Sequence, residues 1–440
     1  MLKKFFSAFL IICLLITPCL TVNAYEPTGV QITANAALLV SMDTDEVLYE
    51  KNADQKVYPA SITKIMTTLL ILESDKYQPD ANIAMTQEAL DLISGTGSSV
   101  SLLAAGEEIT QLDLVYMVLM SSYGDCSLLA ATYYGGSVEN FVNMMNTRAS
   151  ELGLTGTHYE NPIGLHHEEN YTTARDTYTL AKFALQNETF KEVCESTRHT
   201  VNASISGKRV LSTTNYLQDN TTNYYYTYAK GVKTGYTDEA GRCLVSTASY
   251  NGYNYMCLVF GCPSNEKNHF TESKELYRWA FNNFEFKKVA DTANPIAEIG
   301  VDLSLDTDFV SLYVEKGFTS VLPKDADDST ISIVPHPCAE RIDAPVKKGQ
   351  VLGTADIIYA EQVIGTVNLI SNENIERSSL LAVLRAIKNF FSSSYMKIVY
   401  ILIIAAILLF IISVIKLNSK KTKKRKIKYV PYKEENKKTR

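Results

Sequence analysis

The chain has 440 residues, enough for two domains, and a formal net charge of −6. The charge is uneven, because residues 416–440 carry a net +10 whereas residues 25–415 carry a net −18. An acidic body of this kind argues against nucleic acid as a partner.

The N-terminus has the pattern of a secretory signal. Two lysines precede an apolar run from Phe5 to Leu20, and Ala24 ends a small-x-small motif. This pattern predicts a signal peptide at residues 1–24 that is cleaved before Tyr25. An uncleaved anchor is the alternative, although the apolar run is short for a membrane span.

The next segments predict a domain that contains both strands and helices. A hairpin is predicted between Ile32 and Tyr49, and an apolar helix begins at Ser61. Strands from both ends of residues 25–288, with helices between them, predict an α+β domain with helices packed on an antiparallel sheet. The further predicted elements are helices at Leu112–Met120, Ser127–Tyr134, Ser137–Leu152 and Glu272–Phe286, and strands at Gly231–Tyr236, Cys243–Ser249 and Tyr253–Gly261.

The C-terminal third changes character. Residues 289–374 contain short strand-like runs and turn residues, which predict a small all-β domain. Residues 375–397 form an amphipathic, membrane-proximal segment, and residues 398–415 carry no charge and predict a transmembrane helix. The basic tail at residues 416–440 is predicted to be cytoplasmic, with the catalytic domain on the other side of the membrane.

No metal or organic cofactor is predicted. The six cysteines after the signal show no metal-like spacing, and we interpret most of them as small buried side chains. Adjacent His166 and His167, followed by two glutamates, resemble a metal cluster, but neighbouring histidines on one loop rarely converge on one ion. The run Tyr224–Tyr228 either lines the approach to the active site or packs on the domain.

Ser61 and Lys64 form the strongest candidate for catalysis. Residues three apart on a helix share a face, so the Lys64 amine can reach the Ser61 hydroxyl. Apolar neighbours bury the amine and lower its pKa, and a neutral lysine can activate the serine. Ser264 with Lys267 and Ser394 with Lys397 have the same spacing but do not head a buried helix. Without other motifs, Ser61 could simply cap the helix.

The chain resembles the serine-type D-alanyl-D-alanine carboxypeptidases, which are low-molecular-mass penicillin-binding proteins. The resemblance rests on segments in the family's order: Tyr58–Thr67, Asn161–Leu165, Thr173–Asp176 and Gly231–Thr237. It implies a penicillin-binding/β-lactamase-like catalytic domain. The implied roles are Ser61 as nucleophile, Lys64 as general base, Ser122 as proton relay, Lys233 and Thr234 as carboxylate-binding groups, Gly235 as a residue that lets the substrate lie close, and the backbone amides of Ser61 and Tyr236 as the oxyanion hole.

The resemblance also implies a reaction. The enzyme would remove the terminal D-alanine from peptidoglycan stem pentapeptides through an acyl-enzyme, in cell-wall biogenesis, and β-lactams would inhibit it covalently. No nucleic acid is expected, and the C-terminal helix would hold the enzyme at the membrane. The alternatives are a catalytically weakened penicillin-binding module and, less favoured, a β-lactamase.

One motif departs from the family pattern. The family has Ser-Gly-Asn-Asp-Ala where this chain has Ser122 to Cys126, so Gly124 replaces the asparagine. Gly124 cannot supply an amide to the substrate or the lysine, and water or Asp125 is a candidate substitute. On this interpretation, Gly124→Asn should raise turnover about tenfold, unless Gly124 has a positive φ.

Overall fold

The computed structural model describes residue 27, residues 29–423 and residues 431–432, with the side chains of residues 419–423 left aside. The predicted signal peptide and most of the predicted basic tail lie outside the described residues. Two compact units are present. The first contains the chain up to residue 289 with residues 318–332 and 358–364, and the second contains residues 290–317, 333–357 and those from 365 onward. The predicted domain boundaries stay predictions.

In the described part of the chain, short 3₁₀ turns lie at Ala60–Thr63 and Asp328–Thr330. The helices are α1 (Lys64–Glu73), α2 (Gln87–Ile93), α3 (Gln111–Leu119), α4 (Gly124–Gly135), α5 (Val138–Glu151), α6 (Ala174–Ala184), α7 (Glu188–Glu195), α8 (Asn268–Asn283), α9 (Ser379–Ser392) and α10 (Ser394–Lys423). The strands are β1 (Ala36–Ser41), β2 (Val47–Lys51), β3 (Asn82–Ala84), β4 (Glu108–Thr110), β5 (Arg198–Ala203), β6 (Gly207–Ser212), β7 (Ala229–Thr237), β8 (Gly241–Tyr250), β9 (Tyr253–Cys262), β10 (Phe284–Ala290), β11 (Pro295–Asp302), β12 (Phe309–Val314), β13 (Phe318–Pro323), β14 (Ile331–Pro337), β15 (Arg341–Asp343), β16 (Val351–Tyr359) and β17 (Gln362–Ser371).

The first unit is built around a five-stranded sheet with the order β2-β1-β9-β8-β7. All four pairings are antiparallel, and β1 from the N-terminal hairpin pairs with β9 from the distant C-terminal hairpin. The predicted α+β class and the antiparallel sheet are therefore confirmed. Strand β7, which carries the Lys-Thr-Gly sequence, lies at one edge of this sheet.

Both faces of the sheet are buried, which explains the apolar run in β1. Side chains alternate along a strand, so Ala36, Leu38 and Val40 enter one core while Ala37 and Leu39 enter the other. The first core also contains side chains from α1 and from α3 to α7, and the second contains side chains from α8. Helices cover both faces, and they leave the edge at β7 for the site.

The predicted helix over residues 272–286 is wrong at both ends. The observed helix α8 begins at Asn268 and ends at Asn283. Phe284 then starts strand β10, where Phe286 stacks on Tyr253 with ring centroids 4.5 Å apart. The tertiary contact of these rings prevails over the helical pattern that continues through them in the sequence.

The second unit contains most of the strands in the predicted small β domain, but β13 lies in the first unit. Its six-stranded sheet has the order β14-β16-β17-β12-β11-β15, with β11 antiparallel to β12 and parallel to β15. Helix α9 is held to this unit by Arg385, which forms ion pairs with Asp302 and Asp343. Residues 394–418 of α10 contain an 18-residue stretch with a mean hydropathy of 3.3 and are long and apolar enough to cross a membrane.

Candidate active site

Ser61 lies in the 3₁₀ turn that leads into α1, and this turn packs against β7. Its hydroxyl does not cap the helix. Instead, the Lys64 Nζ donates a hydrogen bond to Ser61 Oγ at 3.0 Å. Ala60, immediately before the serine, has φ +47°, a left-handed conformation that is strained for any residue except glycine. The structure therefore brings the predicted pair together at a strained turn.

Lys64 is completely buried, and its amine has a second polar neighbour. The Nζ also donates to the Ile163 carbonyl oxygen at 2.6 Å. Burial lowers the pKa of Lys64 to about 7, although the negative charge of Asp125 acts in the opposite direction. A large fraction of the amine is therefore neutral at ordinary pH and can accept a proton from Ser61.

The loop that presents the Ile163 carbonyl is shaped by Asn161. The Asn161 Oδ1 accepts hydrogen bonds from Gly164 N at 2.7 Å and from Leu165 N at 2.9 Å. Gly164 has φ +80°, which only glycine adopts readily. Sequence reasoning assigned this loop to the family but gave it no role, and Gly164 was the signal that it holds a constrained turn.

Two glycines allow close packing around residues 59–61. A Cβ at Gly164 would overlap the Ala60 carbonyl, and a Cβ at Gly235 would lie 3.0 Å from Pro59 O and 3.1 Å from Ser61 N. The predicted role of Gly235 toward the substrate stays a prediction, and the structure adds a second reason for glycine at this position. Its missing side chain makes room for the serine turn and brings the Ser61 backbone amide close to β7.

Lys233 and Thr234 differ in position. Lys233 is 1% exposed, and its Nζ donates to the Thr234 carbonyl at 3.0 Å. Burial lowers the pKa of Lys233 well below its usual value, and the nearby Lys64 amine lowers it further. Thr234 lines the cleft, and its Oγ1 donates to Thr214 Oγ1 at 2.7 Å. Sequence reasoning missed Thr214, because nothing distinguishes it within its polar loop.

The cleft, with a volume of about 860 Å³, brings most of the predicted residues together. Ser61, Ser122, Thr234, Gly235 and Tyr236 all line it. Among the described residues, no hydrogen bond joins the Ser122 hydroxyl to Ser61 or Lys64. Ser122 has φ +66°, so the left-handed residue of this motif is the serine and not the glycine.

The structure gives a steric reason for glycine at position 124, where the family has asparagine. Gly124 begins helix α4 without a positive φ, and its added Cβ would lie 2.5 Å from Ser98 Oγ. An asparagine at this position would have to displace the ends of the Ser98 and Ile93 side chains, and the predicted rise in turnover for Gly124→Asn stays a prediction. Asp125 is no substitute, because its buried carboxylate accepts from the Ser101 amide at 2.9 Å and the Ser101 hydroxyl at 2.6 Å.

The remaining sequence candidates are accounted for by packing or exposure. His166 lies at the cleft and packs edge-on against Tyr58, and within the described residues no three His, Cys, Asp or Glu side chains form a group that could hold a metal. Tyr224 packs against Phe270 and Tyr226 stacks on Tyr277, so these rings support the domain. The free cysteines are buried at 126, 194, 243, 257 and 262 and exposed at 338.

Comparisons with known proteins identify the family of this chain. Residues 21–264 match the peptidase S11 family, described as D-alanyl-D-alanine carboxypeptidase, and residues 284–377 match the C-terminal domain of penicillin-binding protein 5. The D-alanyl-D-alanine carboxypeptidase DacF of Bacillus subtilis (strain 168) is 30% identical over 355 residues, covering 80% of this chain and 88% of that protein.

Solved structures extend the likeness across both units. Penicillin-binding protein 5 from Haemophilus influenzae is 28% identical with a TM-score of 0.64, covering 79% of this chain and 98% of that chain. The carboxypeptidase DacD from Francisella tularensis has a TM-score of 0.66 over 80% of this chain and 96% of that chain, and at 23% identity it shows the fold alone.

The packing around Ser61 predicts a large cost for Gly164→Ala. Gly95→Ala is the matched control, because Gly95 has a similar φ of +76° but open space around its Cβ position. The control should lose about 1–2 kcal/mol of unfolding free energy through its backbone alone. Gly164→Ala should lose about 2–5 kcal/mol, because it also overlaps Ala60. Urea unfolding measures both, and equal losses would contradict the close approach.

Proposed function

The chain belongs to the D-alanyl-D-alanine carboxypeptidase family of serine peptidases, and from this premise we propose that it removes the terminal D-alanine from peptidoglycan stem pentapeptides. The observation that carries the proposal is the buried Lys64 amine 3.0 Å from the Ser61 hydroxyl, with a pKa near neutrality. This pair supplies an activated nucleophile at the wall of an open cleft.

We propose an acylation step that starts from the contact between Lys64 and Ser61 and uses Ser122 in the role implied by the family resemblance. Neutral Lys64 takes the Ser61 proton as Ser61 Oγ attacks the carbonyl carbon between the two terminal D-alanines. The backbone amides of Ser61 and Tyr236 stabilise the negative charge on the carbonyl oxygen. The C–N bond then breaks, and the proton passes through Ser122 to the leaving D-alanine amine. Ser61 remains bound as an ester to the shortened peptide.

Hydrolysis of the ester completes the reaction. Water attacks the acyl carbonyl, releases the tetrapeptide and returns the proton to Ser61.

In the bound substrate, before acylation, the Thr234 hydroxyl binds the carboxylate of the terminal D-alanine. That carboxylate also favours the charged form of Lys233, which burial otherwise disfavours. The proposed steps use side chains and backbone amides, with no metal or organic cofactor.

The alternatives are less well supported. A β-lactamase does not account for residues 284–377, which match the C-terminal domain of penicillin-binding protein 5. A weakened module does not account for the intact contact between Ser61 and Lys64. Because β-lactams resemble the D-alanyl-D-alanine terminus, we propose that they acylate Ser61.

The proposed location is the outer face of the cell membrane. The signal peptide at residues 1–24 would export the chain, and helix α10 would then stop transfer. The basic residues after Lys416 favour a cytoplasmic tail. This topology places the cleft on the side of the membrane where peptidoglycan lies.

The purified full chain in detergent should release D-alanine from a D-Ala-D-Ala-terminated pentapeptide and should bind a labelled penicillin covalently. Ser61→Ala removes the nucleophile and should abolish both signals. Ser264→Ala is the control with the same sequence spacing, and it should retain both. Labelling that persists in the Ser61 variant, or that maps to Ser264 or Ser394, would show that another serine reacts.

The acylation rate should rise with pH with a midpoint near 7. Only the neutral form of Lys64 accepts the serine proton, and its fraction increases from about one tenth at pH 6 to about nine tenths at pH 8. Stopped-flow labelling with a fluorescent penicillin between pH 5 and 9 measures this rate. A rate that is flat from pH 6 to 8 would contradict a lysine base with this pKa.

The topology can be tested in protoplasts. Added protease should digest the catalytic domain, whereas an epitope placed after Arg440 should be protected until the membrane is broken. Deleting residues 396–440 should release active enzyme into the medium. Digestion of the epitope in sealed protoplasts would show that the tail faces outward.

A further inference from the structure

The side chain of Ser98 occupies the space that a side chain at position 124 would need. A Cβ built on Gly124 would lie 2.5 Å from Ser98 Oγ, 3.2 Å from Ser98 Cβ and 2.8 Å from the Ile93 Cδ1 methyl. The amide oxygen and nitrogen of an asparagine lie about 2.4 Å from its own Cβ, by standard bond lengths. The distance from a Cβ at position 124 to the Ser98 oxygen therefore matches the distance from an asparagine Cβ to its own side-chain oxygen and nitrogen.

The Ser98 hydroxyl is also available to a ligand. Ser98 lines the same cleft as Ser61 and Ser122 and is partly exposed there. Among the described residues, no hydrogen bond engages its Oγ. A serine hydroxyl can both donate and accept, which covers the two functions of the missing amide.

The loop that carries Ser98 is fixed to the start of helix α4. The Gly124 amide donates to the Ser99 carbonyl at 2.7 Å, and the Ser98 amide donates to Thr96 Oγ1 at 3.3 Å. Three residues after Ser98, Ser101 bonds the buried carboxylate of Asp125 through both its amide and its hydroxyl. These bonds hold the loop beside the first turn of α4, and Ser98 and Ser122 line the same cleft.

We propose that Ser98 replaces the absent asparagine as the side chain that hydrogen-bonds the backbone of the bound stem peptide beside the scissile bond. The inference rests on the proposed function, since it concerns the same cleft and substrate. Ser98 and residue 124 then share one position in space: a serine at 98 requires glycine at 124, and an asparagine at 124 requires a smaller residue at 98.

Kinetics of single and double variants test this exchange. Ser98→Ala should lower kcat/KM for D-alanine release about five- to tenfold, with an unchanged thermal midpoint, because it removes one hydrogen bond to substrate. Gly124→Asn alone should lower kcat/KM further, since its side chain overlaps Ser98. The double variant Ser98→Gly with Gly124→Asn should exceed the Gly124→Asn variant at least tenfold, since contacting residues couple. Ser94→Ala, an exposed position outside the cleft, is the control and should match wild type.

The outcomes separate this inference from the proposed function. Wild-type activity with an unaffected Ser98→Ala variant would overturn the role of Ser98 and leave the carboxypeptidase intact. A Ser98→Ala variant with a lowered thermal midpoint and unchanged kcat/KM would show that Ser98 only packs the loop. If wild type releases no D-alanine, the proposed function fails. The role of Ser98 is then decided separately, by comparing the rate at which a labelled penicillin acylates Ser61 in wild type and in Ser98→Ala. A double variant no better than Gly124→Asn would contradict the shared position.

Discussion

The buried contact between the Lys64 amine and the Ser61 hydroxyl sets the requirements for the rest of the first unit. Moving the lysine pKa from 10.5 to about 7 corresponds to about 5 kcal/mol against the charged form. The Ile163 carbonyl gives the buried nitrogen a second partner, and without it a polar group would be desolvated with little compensation. The loop that carries Ile163, the serine turn and the edge strand β7 must therefore meet at one point.

The close contact of these three segments depends on two glycines, which have no side chain. Gly164 and Gly235 approach the residues 59–61 from different elements, a loop between helices and an edge strand. A Cβ added at either glycine would push its segment away from residues 59–61. The strained φ of Ala60 is maintained between these two surfaces, so the strain at the nucleophile is stabilised by packing on both sides. The tightly packed turn at residues 59–61 is thus the same turn that carries the nucleophile Ser61.

Two buried lysines in one wall of the cleft have an electrostatic consequence. Lys64 and Lys233 each donate to a backbone carbonyl, burial lowers the pKa of both amines, and the nearby Lys64 amine lowers the pKa of Lys233 further. The charge of Asp125 opposes the effect of burial on Lys64, but Ser101 already bonds the Asp125 carboxylate. A substrate that brings its own carboxylate supplies the negative charge that this wall lacks, which suits a peptide with a free C-terminus.

The sequence predicted the parts of the site that depend on local spacing. Ser61 and Lys64 are three residues apart, and the residues between Ile32 and Tyr49 have the pattern of a hairpin, so both could be identified without tertiary information. The Ile163 carbonyl could not, because a backbone group has no sequence signature and lies 99 residues from Lys64. Thr214 was missed for a similar reason, since its contact with Thr234 depends on how a long loop returns to β7.

Gly124 shows why a departure from a family motif has to be interpreted in space. In the sequence, glycine in place of asparagine indicates that a hydrogen-bonding group has been lost. In the structure, the same volume contains Ser98, which is 26 positions earlier in the chain. A motif position and the loop that packs on it are constrained together, because only one of them can fill the space. The polar atom that the cleft requires can therefore come from either segment, and a small residue in one predicts a compensating side chain in the other.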